Sequence, residues 1–120
     1  MSTPIRLLPD GNPETGFVPS SLVAESDFTT EDKTETISSF FESQDGKIST
    51  GVWECAPCRE IIEAYPVDEM MTVIAGSVTL TASDGSAQTF GAGDTFFIPK
   101  GTPCTWEITQ TLRKFYMIAA

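Results

Sequence analysis

The sequence predicts an all-β fold in a single domain. Three observations carry this. Short runs rich in β-branched and aromatic residues recur every eight to twelve positions, separated by Gly, Pro and Asp turns, as in sandwiches and barrels. No βαβ alternation or internal repeat is visible. The length of 120 residues suits one domain.

Residues 1–25 read as an extended arm, with Pro4, Pro9, Pro13 and Pro19 breaking any regular element. Its apolar residues, among them Ile5, Leu7, Leu8, Phe17 and Val18, suit packing on the domain or on a partner subunit. Residues 26–120 form the domain proper. Ser26 or Thr29 could cap a short helix, whereas "TISSFF" reads better as a strand. "SQDG" is a turn and "KISTGVWE" a strand. "REIIEAYP" has the length of two helical turns, ended by Pro66. "MMTVIAG" is a nearly continuous apolar run, as in a strand covered on both faces. Gly76 then turns the chain into "SVTLTA", which alternates with period two. "SDGS" supplies the positive φ of a hairpin turn into "AQTF". "TFFIP", "CTWEIT" and "LRKFYMI" complete the strands.

The net charge of −10, from 17 acidic and 7 basic residues, argues against nucleic acid and anionic membranes as partners. No apolar run approaches the ~20 residues of a membrane span. "MSTPIRLLPDGNPETG" lacks the apolar centre of a secretory signal, so the expected location is the cytoplasm. Three cysteines, an odd number, speak against a disulfide framework.

"WECAPCRE" has the spacing of a redox-active Cys-x-x-Cys. That chemistry needs a helix N-terminus to stabilise the thiolate, within a βαβ frame absent here. A zinc half-site would need two further ligands, and the chain has no histidine. The leading reading of Cys55 and Cys58 is as small buried hydrophobes.

"GDTFFIPKGTPCTW" places Gly93, Pro99, Gly101 and Cys104 at the spacing of a cupin's second signature motif, and "EMMTVIAG" places Glu69 and Gly76 at the end of the first. With "GVWE", "YPVDE" and "RKFYMI", residues 42–118 resemble the small cupins related to the ureidoglycine aminohydrolase C-terminal half and the ethanolamine-utilisation cupin. The resemblance implies a double-stranded β-helix, or jelly-roll barrel, and a homodimer. It also implies a pocket, though not that aminohydrolase activity. Metal-binding cupins put histidines where this chain has Glu63, Tyr65 and Cys104. No metal or other cofactor is therefore expected.

In such a barrel, alternate residues of the motif strands face inward. Glu63 and Tyr65 are expected to share a face with Glu69, as candidate catalytic groups. Trp53, Cys104, Trp106 and Tyr116 are candidate ligand contacts, with Lys114 beside them as a partner for Glu69. Two carboxylates in an apolar cup raise each other's pKa, so one could act as general acid and the other as base. Tyr65 could donate to an oxyanion. Arg59 or Lys100 could select acidic substrates at the rim. Three functions follow. The first is a small-molecule-binding cupin. The second is a metal-independent acid–base enzyme (a lyase, isomerase or hydrolase). The third is a metal-binding cupin using Cys and Glu ligands.

Overall fold

The computed structural model describes residues 3–120. Its regular elements are a 3-10 turn, Glu25–Asp27, and eight strands. In chain order these are β1 Val18–Pro19, β2 Glu35–Glu42, β3 Ile48–Cys55, β4 Cys58–Ile62, β5 Asp68–Ala82, β6 Ala87–Gly91, β7 Thr95–Ile98 and β8 Cys104–Ala119.

The two long strands organise the rest. β5 and β8 pair antiparallel from Asp68 opposite Ala119 to Ala82 opposite Cys104. The second half of β8 also pairs with β3, and its first half with β4. The first half of β5 pairs with β7, and its second half with β6. Each long strand therefore serves two walls, one running β1-β2-β3-β8-β5-β7 and the other β4-β8-β5-β6. This is the antiparallel jelly roll that the cupin resemblance implies, and the all-β barrel that the turn spacing predicts.

Gly76 does not end a strand as expected. It lies inside β5, where the register against β8 is irregular between Val73 and Val78. Its φ is +78°, and a Cβ there would collide with the Thr111 carbonyl oxygen. Only glycine fits so close a backbone crossing. Inward-facing positions change parity across it, with Glu69, Met71 and Val73 buried before and Val78 after. That parity change makes one strand look like two in the sequence. "CTWEIT" and "LRKFYMI" are likewise both parts of β8.

"REIIEAYP" makes no helix. Its first residues belong to β4, because Cys58, Glu60 and Ile62 alternate with outward Arg59 and Ile61, and β8 offers a free edge. The segment around Ser26 forms only the 3-10 turn, capped by Ala24 without a side-chain bond. "TISSFF" lies in β2.

The core holds Met71, Val73, Val78, Ile108 and Leu112 between the walls. Cys55 and Cys58, at the end of β3 and the start of β4, are fully buried in it. A hydrogen bond with Cys58, then burial, push the Cys55 thiol well above its ordinary pKa. Their full burial fits the reading of both as small hydrophobes. Before β2, Val23 enters the core cluster, while residues 9–12 lie against β2 and β8. Asn12 N–H donates to Ser38 Oγ at 2.7 Å, and Arg113, paired with Glu54 at 2.7 Å, reaches the Pro9 carbonyl at 3.0 Å.

Candidate functional site

One end of the barrel opens as a cup of about 510 Å³. β8 contributes Trp106, Lys114 and Tyr116, β3 contributes Trp53, β4 contributes Glu60, and β5 contributes Glu69. Their placement follows from strand alternation: even positions of β8 and odd positions of the first half of β5 point inward.

At the floor, both carboxylate oxygens of Glu69 are engaged. The Tyr65 hydroxyl donates to Oε1 at 2.7 Å, and the Lys114 ammonium donates to Oε2 at 2.7 Å. Both members of this ion pair are more than nine-tenths buried. The Lys114 Nζ also faces Met71 Sδ at 2.8 Å. It lies 4.9 Å from the Trp53 ring centre and 5.0 Å from that of Trp106, a cation–π arrangement that desolvation strengthens. The two indoles meet edge to face at 6.3 Å and 67°. The cup thus carries its own cation, caged by two aromatic rings and a carboxylate.

The second signature motif holds Tyr65 in place. Tyr65 N–H donates to the Thr102 carbonyl at 2.9 Å, and Gly101 N–H donates back to the Tyr65 carbonyl at 2.8 Å. Gly101 takes the turn with φ +91°. Lys100 N–H caps Asp68 at 2.7 Å, tying the same turn to the start of β5. Burial, then the Glu69 charge and the bond to it, raise the Tyr65 phenol far above its ordinary pKa. It is a neutral hydrogen-bond donor. Burial and the charges of Glu69 and Glu42 raise Tyr116 in the same direction.

A third carboxylate stands beside the cup. Glu35 is buried and accepts from Ser20 Oγ, the Leu22 and Val23 N–H groups and Trp53 Nε1. Burial disfavours its charge, but those four donors outweigh burial and lower its pKa. Glu35 therefore fixes Trp53 and ties down the chain before β2. Trp106 Nε1 is buried with no partner among the described residues.

The structure brings Trp53, Tyr65, Glu69, Trp106 and Tyr116 together around the cup. It does not bring Glu63 there. Glu63 lies past the end of β4, exposed to solvent, because the chain turns after Ile62 and the period-two relation to Tyr65 is lost. Glu60 takes the place expected of Glu63. Burial, then the charges of Asp27 and Glu35, hold its carboxyl up at about 6, with Lys114 pulling the other way. Alternation from Cys58 through Glu60 to Ile62 was the signal that identifies it. Cys104 also lies outside the cup. It begins β8 opposite Ile62 and Ala82 and lines a separate depression of about 430 Å³ beside Phe90 and Phe96. Burial, then Glu60, raise its thiol.

No group of three or more His, Cys, Asp or Glu side chains among the described residues could hold a metal ion. The floor offers a phenol, an ammonium and a carboxylate whose oxygens are both taken, a donor set unsuited to a divalent metal.

Residues 42–116 match the family model described as the EutQ-like cupin domain. No curated protein matches the chain. A DUF861-family protein of unknown function from Pseudomonas syringae pv. tomato is similar over 91% of this chain, at 30% identity and a TM-score of 0.79. The chain covers 46% of that protein, about half its length. A DUF861-family protein from Thermotoga maritima is 29% identical, with a TM-score of 0.50 over 54% of this chain and 73% of that one. The EutQ protein of Clostridium difficile shares the fold, at 21% identity and a TM-score of 0.57 over 81% of this chain and 79% of its own. The family model spans well over half the sequence and ends at the inward-facing Tyr116 of β8; the chain belongs to the EutQ-like cupin domain family.

Proposed function

We propose that the cup binds a small polar metabolite, and that the caged Lys114–Glu69 pair with Tyr65 forms its polar floor. The observation that carries this reading is the cavity of about 510 Å³ in which these charged and aromatic side chains converge. Concave sites with an apolar lining and a few convergent polar groups are where small ligands bind. Both of the chain's two tryptophans line the cup, so intrinsic fluorescence reports on it directly. A metabolite screen read by tryptophan emission tests the proposal, together with native mass spectrometry for a co-purifying molecule.

A second reading, a metal-independent acid–base enzyme, is favoured by the Glu60 carboxyl, which at about 6 could exchange a proton near neutral pH. Tyr65 would then donate a hydrogen bond to a developing oxyanion. Turnover with a bell-shaped pH profile whose acid limb disappears in Glu60→Gln would establish it.

We also propose a cytoplasmic homodimer. Three free thiols suit a reducing compartment. Phe41, Thr50, Met117, Met70 and Phe97 occupy one register row across five strands of the outer wall. The four large apolar members are each more than 40% exposed. That row is the face on which a second copy would pack. Light scattering of Met70→Lys/Phe97→Lys should then show a monomer, and an unchanged mass would dismiss this face.

A further inference from the structure

Three carboxylates surround the cup, and two are already compensated. Glu69 is bonded by Tyr65 and Lys114, and Glu35 accepts four hydrogen bonds. Glu60 has no hydrogen-bond or ion-pair partner among the described residues, although it lines the cavity half-buried. Asp27 on the 3-10 turn and Glu35 on β2 repel it, while Lys114 on β8 attracts it. Cys104 and Tyr65 feel its charge in turn. Because Lys114 is committed to Glu69, the uncompensated charge of the cup is negative.

The mouth is of opposite character. Leu22 and Ile61 line the cavity yet are each 73% exposed. Ile37, Ile62, Val67 and Ile118 continue that apolar lining. An unpaired carboxylate below an apolar collar is complementary to an amphiphilic cation.

We infer that the cup selects a small molecule bearing an ammonium group on an apolar body, its cation set against Glu60 and its body against the collar formed with Leu22 and Ile61. This rests on the proposal that the cup is a binding site and names the class of its ligand. The ligand supplies the missing counter-charge in a partly dry site, where a charge-assisted hydrogen bond is strong. The net charge of −10 on the chain draws cations toward it.

The test uses four probes and tryptophan emission: 2-phenylethylammonium, the anionic 3-phenylpropionate, neutral 2-phenylethanol, and ethylammonium, which has no apolar body. The first should bind at least tenfold more tightly than each of the others. Its affinity should rise about tenfold from pH 5 to pH 7.5, as Glu60 ionises while the amine stays protonated. Glu60→Gln should remove both the charge preference and the pH dependence. Leu22→Ser/Ile61→Ser, at exposed positions that threaten no core packing, should weaken phenylethylammonium several-fold and leave ethylammonium unchanged. Preferred binding of the anion or the alcohol, or a preference that survives Glu60→Gln, overturns the inference and leaves the cup as a binding site. Silence from all four probes overturns the inference, and if no molecule co-purifies either, the binding proposal falls with it.

Discussion

Replacing Lys114 with methionine tests the arrangement at the floor of the cup most directly. The substitution keeps the length of the side chain and removes the ammonium. Glu69 then keeps only the Tyr65 bond, at a site where its side chain is 7% exposed. Breaking a buried ion pair by removing one partner costs about 3–5 kcal/mol, because the remaining charge stays desolvated. For 120 residues the entropy of unfolding is about 0.25 kcal/mol per kelvin, so the melting temperature should fall by about 12–20 °C. Against a typical total of about 5–15 kcal/mol, that is a large fraction. Urea unfolding followed by far-UV circular dichroism measures it independently of the two tryptophans, whose emission the substitution itself alters. The double variant Lys114→Met/Glu69→Gln removes the stranded charge but keeps an acceptor for Tyr65, and should recover more than half of the loss. A single variant within about 1 kcal/mol of the parent would refute the idea that Glu69 depends on this cation. So would a double variant no better than the single one.

Three further outcomes are expected. Gly76→Ala forces an L side chain to φ +78° against the Thr111 carbonyl; it should cost about 3 kcal/mol or more, read as loss of soluble protein or of the melting transition. Glu60, whose folded pKa of about 6 lies above the ordinary 4.5, favours folding when protonated. Its contribution is complete below about pH 4.5 and lost as the pH rises through 6. After allowance for solvent screening this amounts to about 1 kcal/mol, so Glu60→Gln should exceed the parent by that much at pH 7 and equal it at pH 4 in urea titrations. Glu35 has the opposite sign. Its lowered pKa stabilises the fold above the unfolded value and is lost on acidification. Glu35→Ala strands four donors, should cost about 3 kcal/mol, and should open residues 20–23 to limited proteolysis at neutral pH.

Much of the fold is legible because its signals are local. Asp-Gly and Pro-Lys-Gly turns, and the alternation of "SVTLTA", are short-range chemistry that the barrel respects. The glycines of the two motifs are legible for the same reason: Gly76 and Gly101 occupy backbone conformations closed to other residues. Trp106 follows from strand parity and Glu69 from its place in the motif, while Trp53 and Tyr116 join them on strands whose phase no local pattern fixes. Parity fails where a strand bends or stops. Gly76 inverts it inside β5, which hid the continuity of that strand. The turn after Ile62 breaks it between Glu63 and Tyr65, so the carboxylate that reaches the cup is Glu60, three residues earlier. Cys104 shows another limit. Its position in the motif carries no information about which depression its strand end borders. The clamp of Glu35 on residues 20–23 joins positions whose relation depends on the path of the whole N-terminal segment, and no local pattern announces it.

The position of β8 shapes how the molecule is made. The last strand of the barrel is the one that β3, β4 and β5 all pair with. Until it emerges from the ribosome, the earlier hairpins present bare edges with nothing to close them, so a nascent chain waits as a sticky intermediate. Productive refolding must likewise join segments far apart in sequence before any wall is complete, which makes it slow for a chain of this size. Chaperone demand during synthesis, and clumping on rapid dilution from denaturant, are the practical signatures of a barrel whose keystone is laid last.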